Sequence, residues 1–521
     1  MKTLTPFILF GLLLSAVVAQ ELPKKPALDT YRPYIDVWGH NAEDVVVPQD
    51  VRGQYVKLNV SAAKLPDPLL KYRLRVFSTE KESGNAVYLY TEALAQFNRA
   101  YHARQDEMLR SEEYRNSNPS EYGQLQFKAF PLYPHWGSEN YVEITAEEEA
   151  ALYVSLGRVY ELLEQASRKT YYDWSDTFKH EGVETSLPHI QEMRTLGRYL
   201  SGKADWEIRN GKYEDAVKTI RVGLVLGQHV MDSRPYNCLV TGLVGLAIQG
   251  VIQSQLQNLA NQPDAPNLYA ALTQLEFSPY SLLTSMETER LWMFPRSVSP
   301  NIHETIRDAS DEECRAVLHD LVDTFWQYAL GKPTDLESGR SIAMTYACLF
   351  SYPFAKERLL KLGKTEEEID AMSTYKIVTP YILEEIQKAY DLIQVISALP
   401  PGESATAIQF DDSLYYGGGR SDPVRMFLAL FLPATQAAKN AYLRTEQSFD
   451  RLKIVEAIRL YAAGHDGKPP KSLDDIKEVP VPKIDPMTGT PYRYRTEGNT
   501  AILDYEASHG GLSRMEIFFG E

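Results

Sequence analysis

The sequence predicts a mainly α-helical protein. It would have a multi-helix body containing a tetratricopeptide-like helical hairpin, followed by a small C-terminal α+β module of one long helix and an antiparallel hairpin. Three observations predict this. Apolar residues recur at spacings of three and four through residues 190–252. Capping boxes open further helices at Thr145, Ser310 and Thr365. Near the end, two alternating stretches flank the turn Glu497-Gly498-Asn499.

In chain order, Lys2, an apolar run over 7–18 and the small-residue site Val17-Val18-Ala19 have the three parts of a secretory signal peptide, residues 1–19. The expected mature chain starts at Gln20 and is exported, periplasmic or extracellular, with no membrane span after cleavage. No cysteine sits just after the site, so lipoprotein processing is not expected. The formal charge of −16 argues against a nucleic-acid partner, because phosphate chains need a basic patch. The three cysteines Cys238, Cys314 and Cys348 cannot form a fully paired framework. Buried free thiols are favoured, with one disulfide among them left open.

Residues 20–140 are an N-terminal arm and first helices. The stretch 20–65, rich in Pro, Asp and Val, reads as an irregular arm wrapping the surface, and a helix is expected from Gly84 to about Arg99. Residues 141–401 form the helical body. Thr145-Ala146-Glu147-Glu148 caps a helix that buries Leu152, Leu156, Val159, Leu163 and Ala166. The acids at 147–149 then serve the first turn of that helix, so catalysis is not needed to explain them.

The centre of the body comes next. Ile190, Met193, Leu196, Leu200, Ala204 and Ile208 lie on one helical stripe, and Asn210-Gly211 stops it. A second helix from Tyr213 places Ala216, Ile220, Gly223 and Gly227 on one face, where the glycines admit a neighbouring backbone. A third, 238–252, is apolar almost all round. It runs into Gln249, Gln253, Gln255, Gln257 and Asn258, so it reads as a core helix too short and amide-rich to span a bilayer. Ala204, Gly211, Tyr213, Ala216 and Ile220 fit a tetratricopeptide unit, yet no second copy occurs at a 34-residue period. A repeat unit and an ordinary hairpin both remain open.

Beyond lie a short helix at 266–272 and a helix capped by Ser310 that carries Val317, Leu321, Val322, Phe325 and Ala329. Thr365 caps another. A longer helix after Pro380 carries Ile382, Ile386, Ala389, Ile393 and Ile396 and ends at Pro400-Pro401. Residues 402–422, including Asp411-Asp412 and Gly417-Gly418-Gly419-Arg420, read as a flexible connector. Residues 423–521 hold the long helix and small sheet.

Residues 71–74 with Gly84-Asn85-Ala86, the Gly211-Lys212-Tyr213 hairpin and the run 265–272 resemble a family of exported, largely helical proteins of planctomycete-type bacteria. That resemblance implies location and architecture and carries no catalytic residue. The C-terminal part resembles the soluble end of type II secretion pseudopilins, through Phe431-Leu432-Pro433, the helix bearing Leu452, Val455, Ile458 and Tyr461, the run 465–470, and Asp485-Pro486-Met487-Thr488-Gly489-Thr490-Pro491-Tyr492. It implies a helix packed on an antiparallel sheet. It also implies a calcium-binding loop that would involve Asp485, although no full ligand set is visible, so the metal assignment stays unknown. No prepilin leader directly precedes the module, so pilus assembly is not expected.

Catalytic signatures are missing. No His-Glu-x-x-His exists, and His180-Glu181 and His303-Glu304 lack a second histidine. Ser61-Ala62-Ala63-Lys64 has no partner motifs, and Gly363-Lys364-Thr365 lacks the upstream glycine of a phosphate loop. No catalytic residue and no cofactor are assigned. Two functions follow: an exported non-catalytic helical scaffold or binding protein of the cell envelope, its partner a protein or envelope polymer, or an envelope glycan hydrolase or lyase using a carboxylate pair that needs no local signature.

Overall fold

A computed structural model describes residues 35–38, 46–110, 145–174, 188–233, 238–275, 284–285, 287–288, 306, 308–330, 336–398, 423–506 and 511–520. Among them, helix predominates and one small sheet includes the C-terminal strands. The elements are β1 (Ile35–Trp38), β2 (Gln54–Val60), β3 (Glu82–Asn85), α1 (Val87–Arg110), α2 (Ala146–Ser155), α3 (Gly157–Ser167), β4 (Lys169–Tyr171), α4 (Pro188–Arg209), α5 (Tyr213–Met231) and α6 (Leu239–Ala260). Then follow α7 (Tyr269–Leu272), α8 (Asp311–Leu330), α9 (Leu336–Lys361), α10 (Glu366–Asp370), α11 (Thr374–Ala398), α12 (Pro423–Ala463), β5 (Arg493–Glu497), β6 (Thr500–Glu506) and β7 (Leu512–Phe519).

Helices α4, α5 and α6 pack on one another, and the six apolar residues expected on the α4 stripe are all buried. Gly211, at φ 67°, turns α4 into α5. The glycines do what their spacing suggests. A Cβ on Gly223 would meet Ile252 Cδ1 at 2.4 Å, and one on Gly245 would meet the Gly227 carbonyl oxygen at 2.6 Å. Helix α6 runs 22 residues, beyond the end expected at Ile252, and is by length and composition long enough for a membrane span. It is packed inside, because its amide tail is consumed there: Gln255 Nε2 donates to Ser201 Oγ at 3.0 Å and Asn258 Nδ2 to Asp205 Oδ1 at 2.9 Å.

The capping boxes at Thr145, Ser310 and Thr365 are all formed. The first helix breaks at Leu156 into α2 and α3, and its five expected core residues are all buried. Glu149 goes beyond capping, since its carboxylate receives both Arg209 terminal nitrogens, at 2.5 and 3.0 Å. Two helix starts differ from expectation. Helix α1 opens at Val87 because Gly84 and Asn85 belong to β3, and Asn85 Oδ1 accepts the Val87 amide. Helix α11 opens six residues before Pro380, where burial of Ile377 and Val378 outweighs the lost proline hydrogen bond. Helices α8, α9 and α11 close a second core around Cys314, Leu318, Ile377 and Val378. All three cysteines are free thiols.

The sheet has strand order β1-β2-β7-β6-β5. Residues 20–65 are therefore not simply an irregular arm: β2 lies between β1, antiparallel, and β7, parallel, with Tyr55 opposite Arg514. The cause is a period-two pattern that the arm's composition hides, Val56, Leu58 and Val60 facing inward with Lys57 outward. They meet Val455, Ile458, Ala462, Leu503, Met515 and Ile517 in a third core. Helix α12, 41 residues and about 60 Å long, contacts α9, α11, α6 and α7 as well as this sheet's core.

One side chain ties these layers. Arg459 on α12 is fully buried and donates to the carbonyls of Ser61 (2.9 Å), Ala265 (2.7 Å) and Pro266 (3.4 Å) and to both oxygens of buried Glu456 (2.9 Å each). Arg459→Met is expected to cost about 3–5 kcal/mol, since it orphans a buried carboxylate, and adding Glu456→Gln recovers part of that loss. Urea midpoints check it; equal midpoints for the two variants would contradict the account. For the glycines, Gly245→Ala is expected to destabilise by about 1–3 kcal/mol and by more than Gly223→Ala. The first meets a backbone oxygen and the second a movable isoleucine terminus, so a reversed order of unfolding midpoints counts against this packing.

Candidate functional site

The motifs that suggested chemistry have structural employment. The Ser61 carbonyl is one of the Arg459 acceptors, and the Ala63 amide donates to the Arg459 carbonyl at 3.0 Å. Thr365 caps α10, and Gly363 takes φ 91° where α9 ends. His180, His303 and the 402–422 stretch lie outside the described residues. Asp485 is 3% exposed and holds a tight turn: its side chain accepts the Met487 amide at 2.8 Å and its carbonyl the Gly489 amide at 2.8 Å. Among the described residues no group of three or more His, Cys, Asp or Glu is placed to hold a metal.

That turn packs against α12 through Gln447. Gln447 Nε2 donates to both Asp485 oxygens, at 2.9 and 3.0 Å, and to the Glu506 carbonyl at 3.2 Å. Tyr442, Glu446 and Asp450 follow one another at four-residue steps, a spacing that stacks them on one helical face with Cβ atoms about 6 Å apart. Lys453 reaches Asp450 at 3.2 Å. Burial pushes the Glu446 carboxyl above its ordinary range, with the Asp450 charge adding to it and Lys453 opposing. Asp450 is pushed the same way, again by burial first. Tyr492, beside the turn, has its hydroxyl held neutral by burial and then by Asp485, Asp450 and Glu446.

A different surface marks α9. Ile342, Tyr346, Leu349 and Phe350 fall at i, i+4, i+7 and i+8, one helical face, and are 54%, 56%, 64% and 42% exposed. The Tyr346 and Phe350 rings stack at 5.4 Å and 8°.

Neither a protein-family model, nor a curated protein, nor a solved structure matches this chain. Function must be read from the geometry alone.

Sequence reasoning did not find these residues. Glu446 and Asp450 sit in an ordinary run of a long helix, and only the turn at 485–490 makes their face special. It also passed over His229. This ring is buried on α5, accepts or donates with the Tyr90 hydroxyl at 2.9 Å through Nδ1, hydrogen-bonds the main chain at Lys169 and lies parallel to Tyr172 with centroids 6.0 Å apart. Burial, reinforced by Lys81, lowers its pKa from 6.5 to about 4. The folded protein thus excludes a proton that the unfolded chain takes up near 6.5. Stability contributed by neutral His229 is complete above about pH 6.5 and falls as pH drops toward 4, by up to about 3 kcal/mol. His229→Phe should flatten this part of the curve, so the difference in unfolding free energy between wild type and variant should shift between pH 7 and pH 5; a constant difference would show that the ring titrates normally.

Proposed function

We propose that this chain is an exported helical binding scaffold of the cell envelope that engages a protein partner through the apolar face of α9. The observation that carries the reading is the exposed quartet Ile342, Tyr346, Leu349 and Phe350. Single exposed apolar residues are ordinary, but four on one face, with two rings already stacked, form a contiguous patch of the kind that marks interaction sites. Aromatic side chains supply much of the energy of protein interfaces. Export rests on Lys2, the apolar run 7–18 and the small residues before Gln20.

Glu446 and Asp450 favour the second reading, a glycan hydrolase or lyase. Glycosidase carboxylates flank the scissile bond and have pKa values pushed apart. Here the two acids project from one face of one helix and are pushed in the same direction, which supports binding better than acid–base division of labour. The scaffold reading is tested with Tyr346→Glu/Phe350→Glu. Both positions are exposed, so the unfolding free energy should stay within about 0.5 kcal/mol of wild type, while retention on the native envelope fraction falls about tenfold or more. Undiminished retention would reject the α9 face as the docking surface.

A further inference from the structure

We propose that Arg73, Arg75 and Arg221 form a binding site for a phosphate-type dianion, with the Glu80 carboxylate as its internal competitor. Arg73 and Arg75 lie in the segment before β3, where the alternate residues Leu74 and Val76 are buried, and Arg221 comes from the middle of α5. Two of these guanidiniums address one oxygen: Arg73 Nη1 is 3.1 Å and Arg221 Nη1 3.8 Å from Glu80 Oε1. The Phe77 ring gathers the third, with Arg73 Cζ 4.7 Å and Arg75 Cζ 5.3 Å from its centroid. Glu80 is tethered through its other oxygen, since Oε2 accepts the Phe77 amide at 3.0 Å. The neighbouring Lys71 and Glu214 neutralise each other at 2.8 Å. Among the described residues Glu80 is thus the one carboxylate paired with Arg73 and Arg221, so a positive excess sits on a chain whose formal charge is −16.

Arg221 is short of acceptors. Its side chain is 15% exposed, and among the described residues none of its five N–H donors makes a hydrogen bond, the 3.8 Å contact to Glu80 being too long for one. Nε is enclosed and lacks a partner, whereas Nη1 and Nη2 retain solvent-accessible surface. A guanidinium withdrawn from water in this way is costly until an acceptor meets it. The place is open to a ligand, because the Arg73 side chain is 40% and that of Glu80 30% exposed. A dianion with three terminal oxygens offers two guanidiniums the forked acceptors that they bind best, which Glu80, with one charge and one oxygen turned to them, does not. A monocarboxylate adds nothing to Glu80, which is tethered at high effective concentration. Cations are repelled, and a phosphodiester chain needs a longer basic stripe.

The test uses the full chain with sodium phosphate as the probe and sodium acetate and sodium chloride at matched ionic strength as controls, read by titration calorimetry and thermal shift. Saturable phosphate binding is expected, and acetate should not reproduce it. Glu80→Gln, which removes the competing charge, should tighten phosphate binding about tenfold, a gain that a merely structural ion pair would not give. Arg221→Gln should weaken it about tenfold or more; the Glu80→Gln gain reads the site even if that variant fails to fold. Arg158→Gln, an exposed cation on α3, should bind as wild type does. Methyl phosphate separates two sources of the group: affinity equal to that of phosphate or higher assigns the site to a phosphate monoester, and lower affinity assigns it to the free ion. No saturable phosphate binding in Glu80→Gln, equal affinity of Glu80→Gln and wild type, unchanged affinity in folded Arg221→Gln, or acetate binding as well as phosphate would each overturn the proposal.

Discussion

The buried guanidinium of Arg459 is the constraint on which the remaining structure depends. It sits on α12, which contacts α6, α7, α9 and α11, and its donors reach the strand-end segment at Ser61, the loop at Ala265 and Pro266 that leaves α6, and Glu456 one turn back. Asn267 reinforces the same junction, donating to the carbonyls of Ala63 at 3.2 Å and Glu456 at 2.8 Å. A planar group with five donors satisfies carbonyls that converge from different directions, which an ammonium on a lysine would not do with the same rigidity. The sheet, the three-helix centre and α12 therefore share one fixed relation. That fixed relation also places the Asp485 turn against Gln447, because the turn belongs to the segment entering the sheet while Gln447 rides on the helix.

What the sequence made legible was whatever repeats locally. The α4 stripe, the Gly211 stop and the three capping boxes are written in neighbouring residues, and each is present. The Glu497-Gly498-Asn499 turn is of the same kind: Gly498 takes φ 60° and Arg493 pairs with Asp504 across it. Failures begin where a partner is distant. The alternation Val56-Lys57-Leu58-Asn59-Val60 is a sound strand signal, but its mate β7 was not read as a strand, so the arm looked irregular. Pro380 misled because a local rule was applied to a helix whose first turn is held by burial from α8 and α9.

The candidate site was less legible still. A four-residue spacing of Tyr442, Glu446 and Asp450 is common on solvated helices, and nothing in it announces that the buried Tyr442 and Tyr492 hydroxyls have no hydrogen-bond partner among the described residues. Only the approach of a turn some forty positions downstream turns that face into a half-buried acidic niche. His229 is the converse case: an isolated histidine in an apolar helix gives no sign of the ring stack that shuts it away from protons. Conversely, Asp485, singled out from the pseudopilin likeness, is spent largely on its own turn and on Gln447.

The parallel pairing of β2 with β7 bears on how this chain reaches its fold. The Gln54 amide donates to Ser513 Oγ across 459 positions of sequence, so this is a contact of extreme loop length. Closing it carries an entropy cost that nothing near β2 in the sequence offsets. The helical centre, made of consecutive hairpins, can assemble from local contacts while β2 waits with one edge unmatched. Loop-closure entropy therefore makes sheet completion the expected late step of folding, with the apolar strip of Val56, Leu58 and Val60 uncovered on one edge until β7 pairs. An uncovered strand edge of this kind is a site where another chain can pair until β7 closes it.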